Sequence, residues 1–148
     1  MLRRILFAGM ALVALGAPSA LAGSVHHMFW MFKNQCEQIP AQVRQCALQV
    51  TNGDRNKAVT KQETHVYGGY SSTQLSFTYQ DGDDNQAYTE QVGKNQFAKT
   101  IQIGNENSAF TYQEGTNQQS KTIQIGDGHW GVTSSIGEDT STSVVQHN

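Results

Sequence analysis

The side chains that could bind a metal ion are few and dispersed along the chain. A zinc site needs histidines or cysteines at short, fixed spacings, and the five histidines show no such spacing. We therefore interpret them as surface residues, and predict no metal ion and no other cofactor. The histidines are His26, His27, His65, His129 and His147.

Three acidic residues, Asp81, Asp83 and Asp84, surround Gly82 and faintly resemble a calcium loop. A complete calcium loop supplies more oxygen ligands and ends in a carboxylate at a fixed position. The later turns of the sequence do not repeat the acidic pair. We interpret the cluster as turn-forming residues whose charge slows aggregation.

Cys36 and Cys46 are the only cysteines, and neither forms a recognisable Cys–His arrangement for nucleophilic catalysis. Outside the cell they could close a short loop as a disulfide. The alternatives are two free thiols or a bridge between chains. The acidic residues fall in dispersed turns, unlike the clustered acids of solenoid hydrolases, so we predict no enzyme activity and no small-molecule substrate.

The first residues predict a secretory signal peptide over residues 1–22. Arg3 and Arg4 form a positive start, residues 5–17 are almost wholly apolar, and residues 20–22 form a cleavage signal of the A-x-A kind. A membrane anchor is the alternative, but a spanning helix needs roughly 20 apolar residues. We expect a secreted protein whose mature chain begins at Gly23.

Composition argues against a nucleic-acid partner and against an ordinary apolar core. The formal charge is −2, and loss of Arg3 and Arg4 would make it −4 (−2 minus 2), with no basic patch. Gln, Asn, Gly, Ser and Thr are abundant, while Leu and Ile are scarce. The chain is therefore either disordered or buries polar side chains in a regular hydrogen-bonded way.

An internal repeat, with a glycine at every eleventh position, decides between these alternatives. The consensus unit is Q-x-G-x-x-N-x-A-x-T-x-Q, and a period of twice that length also appears, because KTIQIG occurs at 99–104 and again at 121–126. Two units should therefore form one turn of a solenoid. The turn glycines are Gly82, Gly93, Gly104, Gly115, Gly126 and Gly137.

Alternate positions of each unit are predicted to face inward. The set Asn/Gln, Ala/Ser, Thr and Gln contains no charged residue, whereas the interleaved set contains Glu90, Lys99 and Lys121. Buried unpaired charge is costly, so the uncharged set should form the interior and the interleaved set should face solvent or a neighbouring filament. Stacked amides would then form ladders along the axis. The predicted ladder residues are Gln80, Asn85, Gln91, Gln96, Gln102, Asn107, Gln113, Gln118 and Gln124.

The pattern predicts an all-β protein, a flat two-sheet cross-β solenoid with an irregular or partly helical N-terminal segment. We assign residues 74–146 to the solenoid. Residues 45–73 are assigned to possible divergent repeats and a loop, and whether these repeats join the solenoid is left open. Residues 23–44, with an apolar run at 28–32, are predicted to be a targeting or capping segment. The expected strands are 74–80, 85–91, 96–102, 107–113, 118–124, 129–135 and 140–146.

These units resemble the curlin repeat, S-x5-Q-x-G-x-x-N-x-A-x3-Q, of curli fibre subunits. Gln80, Gly82, Asn85, Ala87 and Gln91 match its second part, and so do the equivalent residues two units further on. The opening Ser is mostly replaced and the last two units are degenerate. The clear match covers roughly the C-terminal half of the chain.

The resemblance implies a structural subunit of a secreted, pilus-like amyloid fibre at the cell surface, which self-assembles for biofilm matrix and adhesion. Its expected partners are further copies of itself, a nucleator or major subunit, and an outer-membrane secretion pore. Residues 140–146 carry no charge or proline to block a sheet edge, which favours an open head-to-tail filament.

Two alternatives stay open at the level of sequence. One is the nucleator of such a fibre. The other is a monomeric secreted β-solenoid that binds a surface or a carbohydrate through its outward-facing aromatic residues. Those residues are Tyr88, Phe110, Tyr112 and Trp130.

Overall fold

The structure is a computed structural model that describes residues 7–15, 22–39, 43–64 and 71–148. These residues form one helix and eight strands. The helix is α1 (Ala22–Glu37), and the strands are β1 (Phe7–Leu15), β2 (Val43–Asn52), β3 (Lys57–Glu63), β4 (Ser72–Asp81), β5 (Gln86–Ile103), β6 (Ser108–Ile125), β7 (Trp130–Glu138) and β8 (Ser141–His147).

All strand pairs are parallel, and the strands form two facing layers connected through β5 and β6. The long layer contains β1, β2, β4, residues 96–103, residues 118–125 and β8. The short layer contains β3, residues 86–92, residues 108–114 and β7. The predicted two-sheet β-solenoid is therefore confirmed.

The register reproduces the period read from the sequence. Gln96 pairs with Gln118 at a sequence separation of 22, whereas Gln45 pairs with Gln74 at a separation of 29. The additional length belongs to the loop predicted within residues 45–73; it lies between β3 and β4, and its residues 65–70 lie outside the described part. Residues 45–62, whose place was left open, form most of β2, most of β3 and the turn between them.

Two of the predicted turns do not interrupt the strands. At Gly93 and Asn95 the chain bends with φ angles of 130° and 51°, yet Gly93 stays in register with Gly115 of the next turn. Hydrogen bonding between turns continues around this corner, so the strands predicted at 85–91 and 96–102 are joined in β5. The same holds for 107–113 and 118–124 in β6.

The interior of the solenoid is polar, and buried side chains alternate with more exposed ones along β5 and β6. In β5 the buried positions include Ala87, Thr89, Gln91 and Gln96, while the residues between them are partly exposed. The uncharged residues of the repeat unit, which were predicted to face inward, therefore form the interior.

An apolar core lies outside the solenoid, between α1 and the outer surface of the long layer. Val25 and Phe32 of the helix pack with the outward-facing residues of β2 and β4. The sequence-based expectation gave these outward residues to solvent or to a neighbouring filament. The apolar run in α1 instead finds an apolar surface within its own chain. The strand residues of this core are Cys46, Leu48, Val50, Leu75, Phe77 and Tyr79.

The apolar stretch of the predicted signal peptide forms β1, which pairs with β2 from Phe7↔Val43 to Leu15↔Thr51. Residues 1–6 and 16–21, which hold the positive start and most of the cleavage signal, lie outside the described part. The signal peptide stays a prediction. Within the described residues no helix is long and apolar enough to cross a membrane.

Candidate functional site

Ladders of glutamine amides run along the axis of the solenoid. In the long layer Gln80 Nε2 donates to Gln102 Oε1 at 2.8 Å, and Gln102 Nε2 donates to Gln124 Oε1 at 2.9 Å. Gln124 donates in turn to Gln146 at 2.9 Å. In the short layer Gln91 donates to Gln113 at 2.8 Å. These ladders stack equivalent residues of successive turns.

Each of these amides also bonds to the opposite layer. Gln102 Nε2 donates to the carbonyl of Gln86 at 3.0 Å, and Gln124 Nε2 donates to the carbonyl of Ser108 at 3.0 Å. In Gln102 and Gln124 one N–H therefore reaches the next turn and the other reaches across the interior. Because both donors are satisfied, a fully buried amide is tolerated.

A second long-layer ladder lies at the other end of the strands. Gln74 Nε2 lies 3.2 Å from Gln96 Oε1, and Gln96 Nε2 lies 3.4 Å from Gln118 Oε1. Gln96 and Gln118 also donate to the carbonyls of Val92 and Glu114, which lie four residues earlier on the other side of the same corner, at 2.8 and 2.6 Å. These glutamines therefore close the corners between the layers.

Asparagines form a fourth ladder at the start of the short-layer strands. Asn85 Oδ1 accepts from the backbone N–H of Asn107 at 3.1 Å and from its Nδ2 at 3.0 Å. Asn85 Nδ2 donates to the Gly104 carbonyl at 2.7 Å. The ladder ends where His129 replaces Asn, and His129 donates its backbone N–H to Asn107 Oδ1 at 3.0 Å.

The turn glycines stack in two columns at the corners of the solenoid. A Cβ at Gly104 would overlap the carbonyl oxygen of Gly126, and a Cβ at Gly93 would overlap that of Gly115. Positive φ angles, such as 117° at Gly104, add a second reason for glycine. Gly137 ends its column, and no atom of the described residues lies within 4 Å of a Cβ built there.

The acidic cluster around Gly82 belongs to the stacked turns. Asp83 Oδ1 accepts the backbone N–H of Asp54 at 2.7 Å, and Asp81 Oδ1 accepts Asn52 Nδ2 at 2.8 Å. Arg55 donates two hydrogen bonds to Asp84, at 2.6 and 2.5 Å, and lowers the pKa of that carboxyl. The described residues contain no group of three or more side chains arranged to hold a metal ion.

A second ion pair joins β3 to β5 on the outer surface of the short layer. Lys61 Nζ lies 2.8 Å from Glu90 and 2.9 Å from Glu63. The hydrogen bond from Lys61 lowers the pKa of Glu90, and the two carboxylates raise the pKa of Lys61. All three groups are partly exposed, so we expect the contribution to stability to be small.

An aromatic surface lies outside the short layer. The rings of Tyr88 and Phe110 stack with centroids 5.3 Å apart, and Trp130 beside them is 70% exposed. Together with Lys57 and Val59 they line a shallow groove of about 410 Å³. Of the four outward aromatic residues predicted for a binding role, these three lie together. Tyr112 donates a hydrogen bond to Glu114 at 2.7 Å.

Cys36 and Cys46 form a disulfide that ties the end of α1 to β2. Of the histidines, His26 and His27 are exposed on α1, and His65 lies outside the described residues. His129 Nε2 lies 2.8 Å from Asn148 Oδ1, while His147 is exposed on β8. No group of three or more potential metal ligands among the described residues includes these histidines.

The two ends of the solenoid present open strand edges. At the C-terminal end β7 and β8 each pair with β6 on one side only, within the described residues. At the N-terminal end β3 pairs only with β5 in the part of the chain that the structure describes, whereas β2 is covered by β1. Open edges expose backbone N–H and C=O groups that can pair with another chain.

A scan against protein-family models and searches of curated proteins and of solved structures give no match to this chain. The fold and the ladders are therefore interpreted from their own geometry. The resemblance to the curlin repeat stays a prediction.

Proposed function

We propose that this chain is the structural subunit of a secreted, extracellular amyloid fibre of the curlin kind, built by head-to-tail stacking of solenoids. The single observation that carries the proposal is that polar ladders and strand edges end unfinished at the C-terminal face. Gln146 Nε2 donates to the Trp130 carbonyl at 3.1 Å. Among the described residues, its second N–H has no acceptor.

The opposite face offers a matching acceptor, Gln62 Oε1, which accepts no hydrogen bond among the described residues, whereas Asn56 Oδ1 already accepts the backbone N–H of Asn85. Gln62 of β3 occupies the position that Gln91 occupies one turn later. Asn56, in the turn just before β3, occupies the position of Asn85 in the same way. A second copy can therefore add strands and amides as the next turn of the same chain does. Backbone pairing supplies affinity, and the ladders set the register.

The biological role rests on the resemblance to curli subunits. We propose a fibre at the cell surface that forms biofilm matrix and mediates adhesion. Export through an outer-membrane pore and nucleation by a related subunit belong to the same proposal. A nucleator role for this chain is the first alternative, because it would use the same edges.

A binding role for the isolated solenoid is the second alternative. It is favoured by the groove beside Tyr88, Phe110 and Trp130, because exposed aromatic surfaces mark interaction sites. In a fibre the same surface would repeat along the axis and serve lateral bundling or adhesion. The two roles differ in whether the solenoid polymerises.

Unseeded assembly tests the proposal. Residues 23–148 are purified in denaturant, diluted without seeds and followed by amyloid-dye fluorescence over a day. We expect spontaneous growth into fibres. A chain that stays folded and monomeric, and that preformed curlin fibres do not seed, would contradict the proposal and favour the binding role.

Two matched double variants test whether the ladders drive assembly. Replacing Gln102 and Asn107 with Ala removes buried amides from two ladders, and the lag time should lengthen several-fold because partners are left unsatisfied. Replacing the outward Phe110 and Tyr112 with Ala should leave the lag time close to that of the unchanged chain and reduce bundling. If only the variant with the outward Phe110 and Tyr112 replaced lost its fibres, the assignment of inward and outward residues would be wrong.

A further inference from the structure

The number of strands in the two layers differs, and this shapes both ends of the molecule. Without β1 the long layer has five strands: β2, β4, residues 96–103, residues 118–125 and β8. The short layer has four: β3, residues 86–92, residues 108–114 and β7. The solenoid therefore begins and ends in the long layer, which projects beyond the short layer at each end.

We propose that successive copies in the fibre stack with a half-turn rotation about the fibre axis. This inference rests on the proposed function. In this arrangement β2 of the incoming copy continues the short layer beyond β7, and its β3 continues the long layer beyond β8. Each layer of the fibre then alternates between the long layer of one copy and the short layer of the next.

Strand pairing favours the half-turn over stacking in the same orientation. Without rotation the projecting strands β8 and β2 meet, and one strand position between β7 and the incoming β3 stays empty. The backbone groups on both sides of that gap would lose their partners. With a half-turn, the incoming β2 pairs with β7 and the incoming β3 pairs with β8, so no strand position stays empty. It also keeps all strands parallel, because strands of the two layers run in opposite directions.

The polarity of the glutamine ladder agrees with the half-turn. Along the ladders, Nε2 of one turn donates to Oε1 of the next, as from Gln62 to Gln91 at 2.8 Å. Gln146 has a free N–H at the C-terminal face, and Gln62 Oε1 accepts no hydrogen bond among the described residues. Rotation places Gln62 of the incoming copy over Gln146. Unrotated stacking places Thr51 there.

The glycine column agrees as well. Gly93, Gly115 and Gly137 stack so closely that a Cβ at either of the first two would overlap the next carbonyl. The half-turn sets Gly53, the turn glycine after β2, over Gly137 and extends the column. Without rotation the empty strand position leaves Gly137 with no turn above it.

The fit requires that β1 be absent. β1 adds a strand to the long layer at the N-terminal end. If it were retained, half-turn stacking would leave one strand position empty between β8 and the incoming β3. Because β1 lies within the predicted signal peptide, cleavage after Ala22 would make the two ends complementary.

The helical symmetry of the fibre tests this inference. The full chain is expressed with its leader in an exporting host, and the fibres are imaged by electron cryo-microscopy. We expect a rotation close to 180° per subunit and a rise of about 22 Å, since nine strands at two per spacing of about 4.8 Å occupy that length. Mass spectrometry should show subunits that lack residues 7–15.

Other outcomes separate the inference from the proposed function. A rise of about 24 Å without the half-turn would overturn the inference and leave a fibre subunit in place. Fibres whose subunits retain β1 would overturn it too. An absence of fibres would overturn both.

Cross-linking between mixed single-cysteine chains gives an independent readout. The half-turn sets Val59 of the incoming copy beside Ser143 of β8, so fibres mixed from V59C and S143C chains should form dimers with a bifunctional maleimide. The matched pair V59C and V132C should not, since these residues then lie on opposite faces. The three side chains are exposed. Dimers in the second pair and none in the first would overturn the inference.

Discussion

At the scale of single residues, the buried amides hold the two layers and the successive turns together. Gln102 is fully buried, and its Nε2 donates along the axis and across the interior. A chain poor in Leu and Ile can form a dry interior in this way, because buried polar groups are stable when their hydrogen bonds are complete.

One ladder is incomplete at its start, and this gives a prediction of increased stability. Gln80 Oε1 is buried without a partner, and Thr51 occupies the position before it in the register. We expect Thr51→Gln to donate a hydrogen bond to that oxygen and raise the free energy of unfolding by about 1 kcal/mol. Thermal and denaturant unfolding of the monomer would measure it.

The control for this substitution is Thr51→Leu. Leucine is apolar, one heavy atom shorter than glutamine and has no donor, so it should not raise the stability. If the leucine variant were stabilised as much as the glutamine variant, burial of side-chain area would explain the effect and the ladder would not.

The sequence could predict which residues form the ladders, because an uncharged column at alternate positions is visible without coordinates. It could not predict the hydrogen bonds from each amide to the opposite layer, such as that from Gln113 to the Phe97 carbonyl at 3.0 Å. Those bonds depend on how far each strand rises relative to its neighbour across the interior.

At the scale of elements, α1 covers part of the long layer and stabilises its first turns. The ring of Phe29 lies 5.4 Å from the rings of both Phe77 and Phe97, and Lys99 Nζ lies 4.7 Å from the centre of the Phe29 ring. Burial in this contact, with the charge of Lys121 nearby, lowers the pKa of Lys99.

Removing the disulfide should weaken this contact without destroying the solenoid. Cys36 and Cys46 are 10 residues apart, and a loop of this size should contribute about 2 to 3 kcal/mol. We expect the double variant C36S/C46S to unfold at lower denaturant concentration and still to form fibres, because the ladders lie downstream. Reductant should shift the unfolding of the unchanged chain only.

Two results would contradict this account of the helix. If reductant did not change the unfolding midpoint of the unchanged chain, the tie between α1 and β2 would contribute nothing to stability. If the double variant lost its β-sheet circular dichroism, the solenoid would depend on the helix.

The sequence predicted a partly helical N-terminal segment, but it did not predict that this segment packs on the outer surface of the long layer. The apolar run at 28–32 is a local signal. The surface that receives it comes from residues such as Leu48 and Phe77, distant in sequence, which share a face only after β2 and β4 are in register. Long-range pairing of this kind is absent from local sequence patterns.

At the scale of the whole molecule, the solenoid has a direction and two unlike ends. The period of the repeat predicts the turns, because glycine spacing and alternation fix them locally. The difference in strand number between the two layers follows from the full register. That register includes β2 and β3, which match the repeat less well. How copies join is therefore a property of the assembled chain.

Fibre diffraction tests the central claim most directly, since that claim is that the chain polymerises with its strands across the fibre axis. Fibres grown from residues 23–148 are aligned and exposed to X-rays. We predict a meridional reflection at about 4.8 Å and an equatorial reflection at about 10 Å. A chain that forms no fibres, or fibres that lack the meridional reflection, would contradict the account.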